Sequence, residues 1–288
     1  MMIIDKNTSF IELLIQKKAT DVYLVTEKVP RAKVNGNIVR LNYPKLMAED
    51  IDKIALNIMN ELQRKKLREC GEVTFSYEVH GNGRYRVNIF RQDENISCSI
   101  RCVQNSLDDI DVSEMCKSIL DDKGGFVIIA GEAGSGKTTT MSAIVEYINK
   151  NCAYNIVTLE KPVEYVYQEE NSMIVQRIVG EDIASYDIGI DNSLKMNCDV
   201  MVIGELSDKN TIKATVKAAQ AGVLVITTMN CSSKDMVTDR LLMDFSADES
   251  MALQNTLKKV PNKVIFQTVG YDENGKLTIS SEFVNSII

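Results

Sequence analysis

Between Gly131 and Thr138 the chain reads Gly-Glu-Ala-Gly-Ser-Gly-Lys-Thr, which satisfies the pattern G-x-x-x-x-G-K-[ST]. These residue types at this spacing make a cradle for a phosphate chain. Gly131, Gly134 and Gly136 allow the backbone to curl until successive N–H groups point at one anion. Lys137 adds a cation for the outer phosphates, and the Thr138 hydroxyl can ligate magnesium. The candidate nucleotide-binding stretch is therefore Gly131, Glu132, Ala133, Gly134, Ser135, Gly136, Lys137, Thr138 and Thr139. Chemistry of this kind needs a strand before the loop and a helix after it. The apolar run 126–130 reads as a buried parallel strand. Met141, Ile144, Val145 and Ile148 recur at i, i+3, i+4 and i+7, the spacing of a packed helix face. The positive end of that helix would face the phosphates.

A phosphate cradle does chemistry only with carboxylates nearby. Glu160 and Glu164 follow a second apolar strand, 156–160, in Thr-Leu-Glu-Lys-Pro-Val-Glu, and Glu205 follows a third, 200–204. An acid at a strand end beside such a loop can hold a magnesium shell. A second acid can orient and deprotonate the attacking water. Ordinary exposed glutamates remain the alternative for Glu164 and Glu205.

The elements that must place these groups alternate along the chain. Strands are expected at 126–130, 156–160, 200–204 and 223–230, with helices starting near Lys137, Asp182 and Asp208. Strands separated by helices build a parallel sheet with helices on both faces. Ligands then sit at the carboxyl ends of the strands. Residues 1–103 carry a different pattern: a short amphipathic helix over 10–17, a strand at 21–25, helical sequence from 49 to 69, and strands at 73–79, 84–90 and 96–103. Asn35-Gly36 and Asn82-Gly83 mark two hairpin turns. The polar, acidic stretch 104–113 reads as a linker, leaving 114–288 as the second domain.

Bulk properties narrow the function classes. Of 288 residues, 44% are hydrophobic, enough for a sizeable core, and the formal net charge is −7. An acidic chain lacks the basic footprint of a nucleic-acid binder, so nucleic acid is not an expected partner. Seven cysteines without a C-x-x-C pair support neither a disulfide framework nor a zinc site. His80, in a Val-His-Gly-Asn-Gly turn, reads as a surface residue. No apolar stretch approaches bilayer length and no signal-peptide layout is present, so a cytosolic protein is expected.

Several linked motifs in order resemble the secretion and pilus motor ATPases, and among them the type IV pilus retraction ATPases. The first module contributes Ala19-Thr20-Asp21-Val22-Tyr23-Leu24, Val34-Asn35-Gly36, Met59-Asn60-Glu61-Leu62-Gln63-Arg64 and Arg84-Tyr85-Arg86-Val87-Asn88. The second contributes the glycine loop, the Glu160–Glu164 box, Val175-Gln176-Arg177, Gly204-Glu205 and Ala218-Ala219-Gln220-Ala221-Gly222. The resemblance implies an α/β fold with a RecA-like P-loop core, preceded by a smaller PAS-like α+β domain. It implies a hexamer with ATP and Mg²⁺ between neighbours, acting on an inner-membrane pilus platform protein at the cytoplasmic membrane. Lys137 and Thr138 would hold the phosphates and metal, Glu164 would be the general base, and Glu205 the second acid of the metal site. Arg86 and Arg101 would be the arginines that the first domain supplies to the nucleotide.

The chain departs from the family pattern at identifiable positions. Lys161 stands where the family has an acid, and Ser207 where it has an arginine. Val223 and Asn230 stand where it has histidines, and Glu132 where proline is usual. Asn230 can donate a hydrogen bond but carries no charge. The chain also ends at Ile288, before helices that family members carry, which reads as a shortened or divergent relative. Two functions are compatible with these residues: a retraction-type motor ATPase, or a nucleotide-binding, weakly hydrolysing regulatory or structural subunit of a pilus or secretion motor.

Overall fold

The computed structural model describes residues 19–34, 37–79, 83–102, 107, 110–122, 124–206, 208–271, 277–284 and 286–287. The helix expected over 10–17, Asn35-Gly36, His80, Asn82, half of the linker 104–113 and Ser207 lie outside the described residues. The chain divides into two units, Met1–Asn105 with Glu164–Val166, and Ser106–Val163 with Tyr167–Ile288.

Among the described residues the first unit is a six-stranded antiparallel sheet with two helices. Its strands are β1 (Asp21–Leu24), β2 (Arg31–Val34), β3 (Asn37–Arg40), β4 (Glu72–Val79), β5 (Gly83–Gln92) and β6 (Asn95–Cys102). They lie in the order β3-β2-β1-β6-β5-β4. Alternation decides the faces: Val22, Leu24, Val87, Ile89, Cys98 and Ile100 are buried in one cluster with Ile51, Ala55 and Leu67 of the helices. The helical stretch expected from 49 to 69 is two helices, α1 (Ala48–Ile58) and α2 (Glu61–Cys70). Asn60 interrupts it: its carboxamide oxygen accepts from the Gln63 N–H at 2.9 Å, and Gln63 Oε1 accepts from the Asn60 N–H at 3.0 Å. That reciprocal cap satisfies two orphan donors and starts a new helix.

The second unit is a seven-stranded sheet. Its strands are β7 (Gly125–Gly131), β8 (Asn155–Glu160), β9 (Met173–Ile178), β10 (Val200–Ile203), β11 (Leu224–Asn230), β12 (Asn262–Tyr271) and β13 (Leu277–Val284). The order is β13-β12-β7-β11-β10-β8-β9. All neighbours are parallel except β12 and β13, which form an antiparallel pair. The helices are α3 (Ser113–Leu120), α4 (Lys137–Asn151), α5 (Tyr186–Lys195), α6 (Lys209–Gln220), α7 (Val237–Leu242) and α8 (Ala247–Leu257). Every residue of β7 and β10 is buried, as continuous apolar runs in a covered parallel sheet should be. Each buried Val, Ile or Phe there contributes about 1.5–3 kcal/mol relative to exposure. The helix expected from Asp182 starts four residues later, because the Asp182 carboxylate accepts the Ile178 N–H at 2.7 Å and holds a turn instead.

Candidate functional site

The fold gathers the chemistry-bearing residues of the second unit at the carboxyl ends of its parallel strands. β7 runs into the glycine loop, and α4 begins at Lys137. Gly136 has φ of 85°, where a side chain is strained. A Cβ on Gly131 would lie 2.5 Å from the Gln267 carbonyl oxygen and 2.6 Å from Ser135 Oγ, so only glycine fits. Glu132, Ala133, Gly134 and Thr139 are exposed along the crest, while Thr138 is half-buried.

Lys137 is buried, and its ammonium donates to the carbonyls of Gly131 at 3.0 Å and Glu132 at 2.6 Å. Burial pushes its pKa down, opposed by the negative charge of Glu205. An ammonium in this position, partly desolvated and held only by neutral carbonyls, gains most from an anion. Ser135 Oγ, also buried, has no hydrogen-bond partner among the described residues. An orphaned hydroxyl beneath the loop and a desolvated cation at its end both fit a phosphate ligand.

Glu205 stands exposed just past β10. The Asn230 amide, at the end of β11, donates to its Oε1 at 2.7 Å. Thr228 Oγ1 donates to the Gly204 carbonyl at 2.6 Å and ties the same two strand ends together. Glu160 closes β8 and is buried, with Thr158 Oγ1 donating to its Oε1 at 2.7 Å. Tyr186, the first residue of α5, completes the group. Its hydroxyl lies 3.2 Å from the Cβ position of Gly204, and the Glu160 Cα lies 3.4 Å from that same position. Burial first, then the charges of Glu205 and Glu160, push the Tyr186 hydroxyl up to about 12. It is therefore a neutral donor beside two acids.

Two expectations change on this geometry. Val223 precedes β11, whereas Asn230 ends it. Seven residues of extended strand span roughly 20 Å. Val223 is thus buried at the amino end of the sheet and takes no part in the group around Glu205. Glu160, the last residue of the expected strand 156–160, does end β8, but it is buried rather than exposed. Tyr186 was not among the expected residues. Its position depends on a turn that no periodicity marks.

In the first unit the remaining expected residues are already paired. Arg86 donates to Glu164 at 2.8 Å, and Arg101 Nε to the buried Asp21 carboxylate at 2.7 Å. Asp21, Arg101, Arg86 and Ser76 are direct cross-strand neighbours in one row of the sheet. Hydrogen bonding to Asp21 is the largest reason that the Arg101 pKa is raised.

A parallel sheet with this loop between strand and helix, and acids at neighbouring strand ends, is the P-loop core in its RecA-like form. Residues 4–269 match the type II/IV secretion system protein family, and the chain belongs to that family. It is 30% identical over 265 residues to the type IV pilus retraction ATPase PilT of Pseudomonas aeruginosa, covering 91% of this chain and 77% of the relative. It is 31% identical over 253 residues to a twitching motility protein of Neisseria gonorrhoeae, covering 86% of this chain and 68% of the relative. A crystal structure of the pilus retraction motor PilT with bound ADP superposes with a TM-score of 0.89 at 29% identity, covering 96% of this chain and 82% of that one.

Proposed function

We propose that this chain is a pilus motor ATPase of the retraction type, hydrolysing ATP at the carboxyl ends of β7, β8 and β10. The observation that carries the reading is the buried Lys137 ammonium, held on two loop carbonyls within the field of Glu205. Residues 131–139 hold the phosphates. Thr138 and Glu205 take Mg²⁺, which supplies charge neutralisation at the outer phosphates. Among the described residues no group of three or more His, Cys, Asp or Glu could cage a metal. Mg²⁺ suits such a site, because it keeps several waters and needs one or two carboxylates plus phosphate oxygens.

Glu160 and Tyr186 shape the floor beneath Glu205, and Asn230 orients its carboxylate. Glu164 serves as general base, and Arg86 and Arg101 as the planar cations for transferring charge. Arg86 and Glu164 neutralise each other as found, so this assignment requires that pair to part. The working form is a homo-oligomer, a hexamer, on an inner-membrane pilus platform protein at the cytoplasmic face. Among the described residues no helix is long and apolar enough to cross a membrane.

The uncharged Asn230 amide on Glu205 favours a second reading, a nucleotide-binding subunit with little turnover. Phosphate release measured alongside oligomer mass, with and without Mg²⁺, separates the two. The motor reading predicts Mg²⁺-dependent release from a hexamer, lost in Lys137→Ala and Glu164→Gln. Nucleotide binding with release no faster than in those variants would replace it with the second.

A further inference from the structure

Helix α5 sits closer to β8 than a side chain at position 189 would permit. A Cβ on Gly189 would lie 2.5 Å from Ile183 Cδ1 and 3.1 Å from Leu159 Cδ1. Leu159 immediately precedes Glu160 in β8, and Tyr186 begins α5 three residues before Gly189. This contact seats the first turn of α5 at the carboxyl end of the sheet. Tyr186 is only 9% exposed there. Its hydroxyl reaches the empty side of Gly204, the residue before Glu205, 3.2 Å from the Cβ position. Among the described residues that hydroxyl has no hydrogen-bond partner. Burial and two nearby acids keep it protonated, so it comes to the group as a donor.

Two carboxylates compete for this donor. Glu160 Oε1 already accepts from Thr158 Oγ1 at 2.7 Å and from Gln176 Nε2 at 3.5 Å. Glu205 Oε1 accepts from Asn230, and among the described residues no donor reaches its other oxygen. The charge of Glu205 also weighs more on the hydroxyl than that of Glu160 does. No direct bond joins Tyr186 to Glu205, which is the situation a bridging water resolves. We propose that Tyr186 is a positioning residue for Glu205: its hydroxyl donates to a water held by Glu205 Oε2, so that the carboxylate is fixed at both oxygens. The inference rests on the nucleotide-binding reading above. Asn230 and Tyr186 are both neutral donors. They set the direction of the carboxylate and leave its negative charge uncancelled, which Lys or Arg in either place would not do.

Tyr186→Phe tests this, because it removes the oxygen and keeps the ring. In steady-state assays with ATP, kcat should fall about tenfold, the worth of one hydrogen bond to a charged group, with KM unchanged. In a Glu205→Gln background the same substitution should cost nothing further. Crystals of wild type with ADP and Mg²⁺ should show one water within hydrogen-bonding reach of both Tyr186 Oη and the Glu205 carboxylate. Crystals of Tyr186→Phe should lack it. Wild-type kcat in Tyr186→Phe overturns the proposal. So does a loss of equal size with and without the Glu205 carboxylate, which would make the hydroxyl a packing contact. If wild type shows no turnover, the crystals decide alone: nucleotide in the loop with no such water overturns the proposal. A glycine loop empty at saturating ADP overturns the nucleotide reading itself, and the proposal falls with it.

Discussion

The two ends of the parallel sheet in the second unit are built from the same strands and differ in almost everything else. At the amino end, residues around the starts of β7, β8, β10 and β11 line a cavity of about 600 Å³ that includes Asp122, Tyr154, Asp199 and Val223. Its carboxylates have settled partners: Asp122 pairs with Lys263 at 2.7 Å, and Asp199 accepts the Asn155 N–H at 2.8 Å. At the carboxyl end there is a loop whose crest is exposed. Beneath it are a buried ammonium resting on carbonyls and a buried hydroxyl without a partner among the described residues. The comparison shows that hollow volume is a poor guide to chemistry in this fold. Satisfied groups around a space ask for nothing, whereas a desolvated cation held by neutral acceptors gains several-fold more from an anion.

The sharpest way to break the comparison is to remove the acid at the carboxyl end. Glu205→Gln keeps the shape and the Asn230 contact but loses the charge. It should lower ATP turnover by about 10²–10³-fold, with ADP affinity nearly intact, in steady-state and titration assays. Next in size is Lys137→Ala, expected to weaken ADP by about 100-fold in calorimetry, the worth of a charge-assisted contact in a dry site. Gly204→Ala should lower turnover by about tenfold, because its new Cβ meets the Tyr186 hydroxyl at 3.2 Å and displaces the floor under Glu205. Asn230→Ala should cost about threefold to tenfold, since Glu205 loses one orienting donor. The smallest effect on activity belongs to the other end. Val223→Ala should lower stability by about 1 kcal/mol in denaturant titration, through a small cavity, and leave turnover within about twofold of wild type. A large loss of activity in Val223→Ala would erase the distinction between the two ends.

What the sequence disclosed follows from how local each signal is. The glycine loop, its flanking strand and the head of α4 were legible because cradle, dipole and cation are all encoded within about a dozen consecutive residues. The buried strands β7, β8, β10 and β11 were legible as apolar runs. Asn274-Gly275 signals a hairpin between β12 and β13, but the bounds of the two strands escaped because their sequences mix polar and apolar residues, and β9, though largely apolar, sits at the sheet edge. The break at Asn60 escaped because apolar spacing continues through it while the cap is a side-chain contact. The grouping of Tyr186 with Glu160 and Glu205 joins residues far apart in the chain, and no local pattern could announce it. Val223 shows a related limit: a family position carries a residue type but not the end of the strand on which it falls.

A crystal structure of this chain with ADP and Mg²⁺ addresses the central claim most directly. It should show one nucleotide, with phosphate oxygens within hydrogen-bonding reach of Lys137 Nζ and of the loop N–H groups, and no nucleotide in the amino-end cavity. Nucleotide density lined by Asp199 and Val223, with the glycine loop bare, would contradict the account.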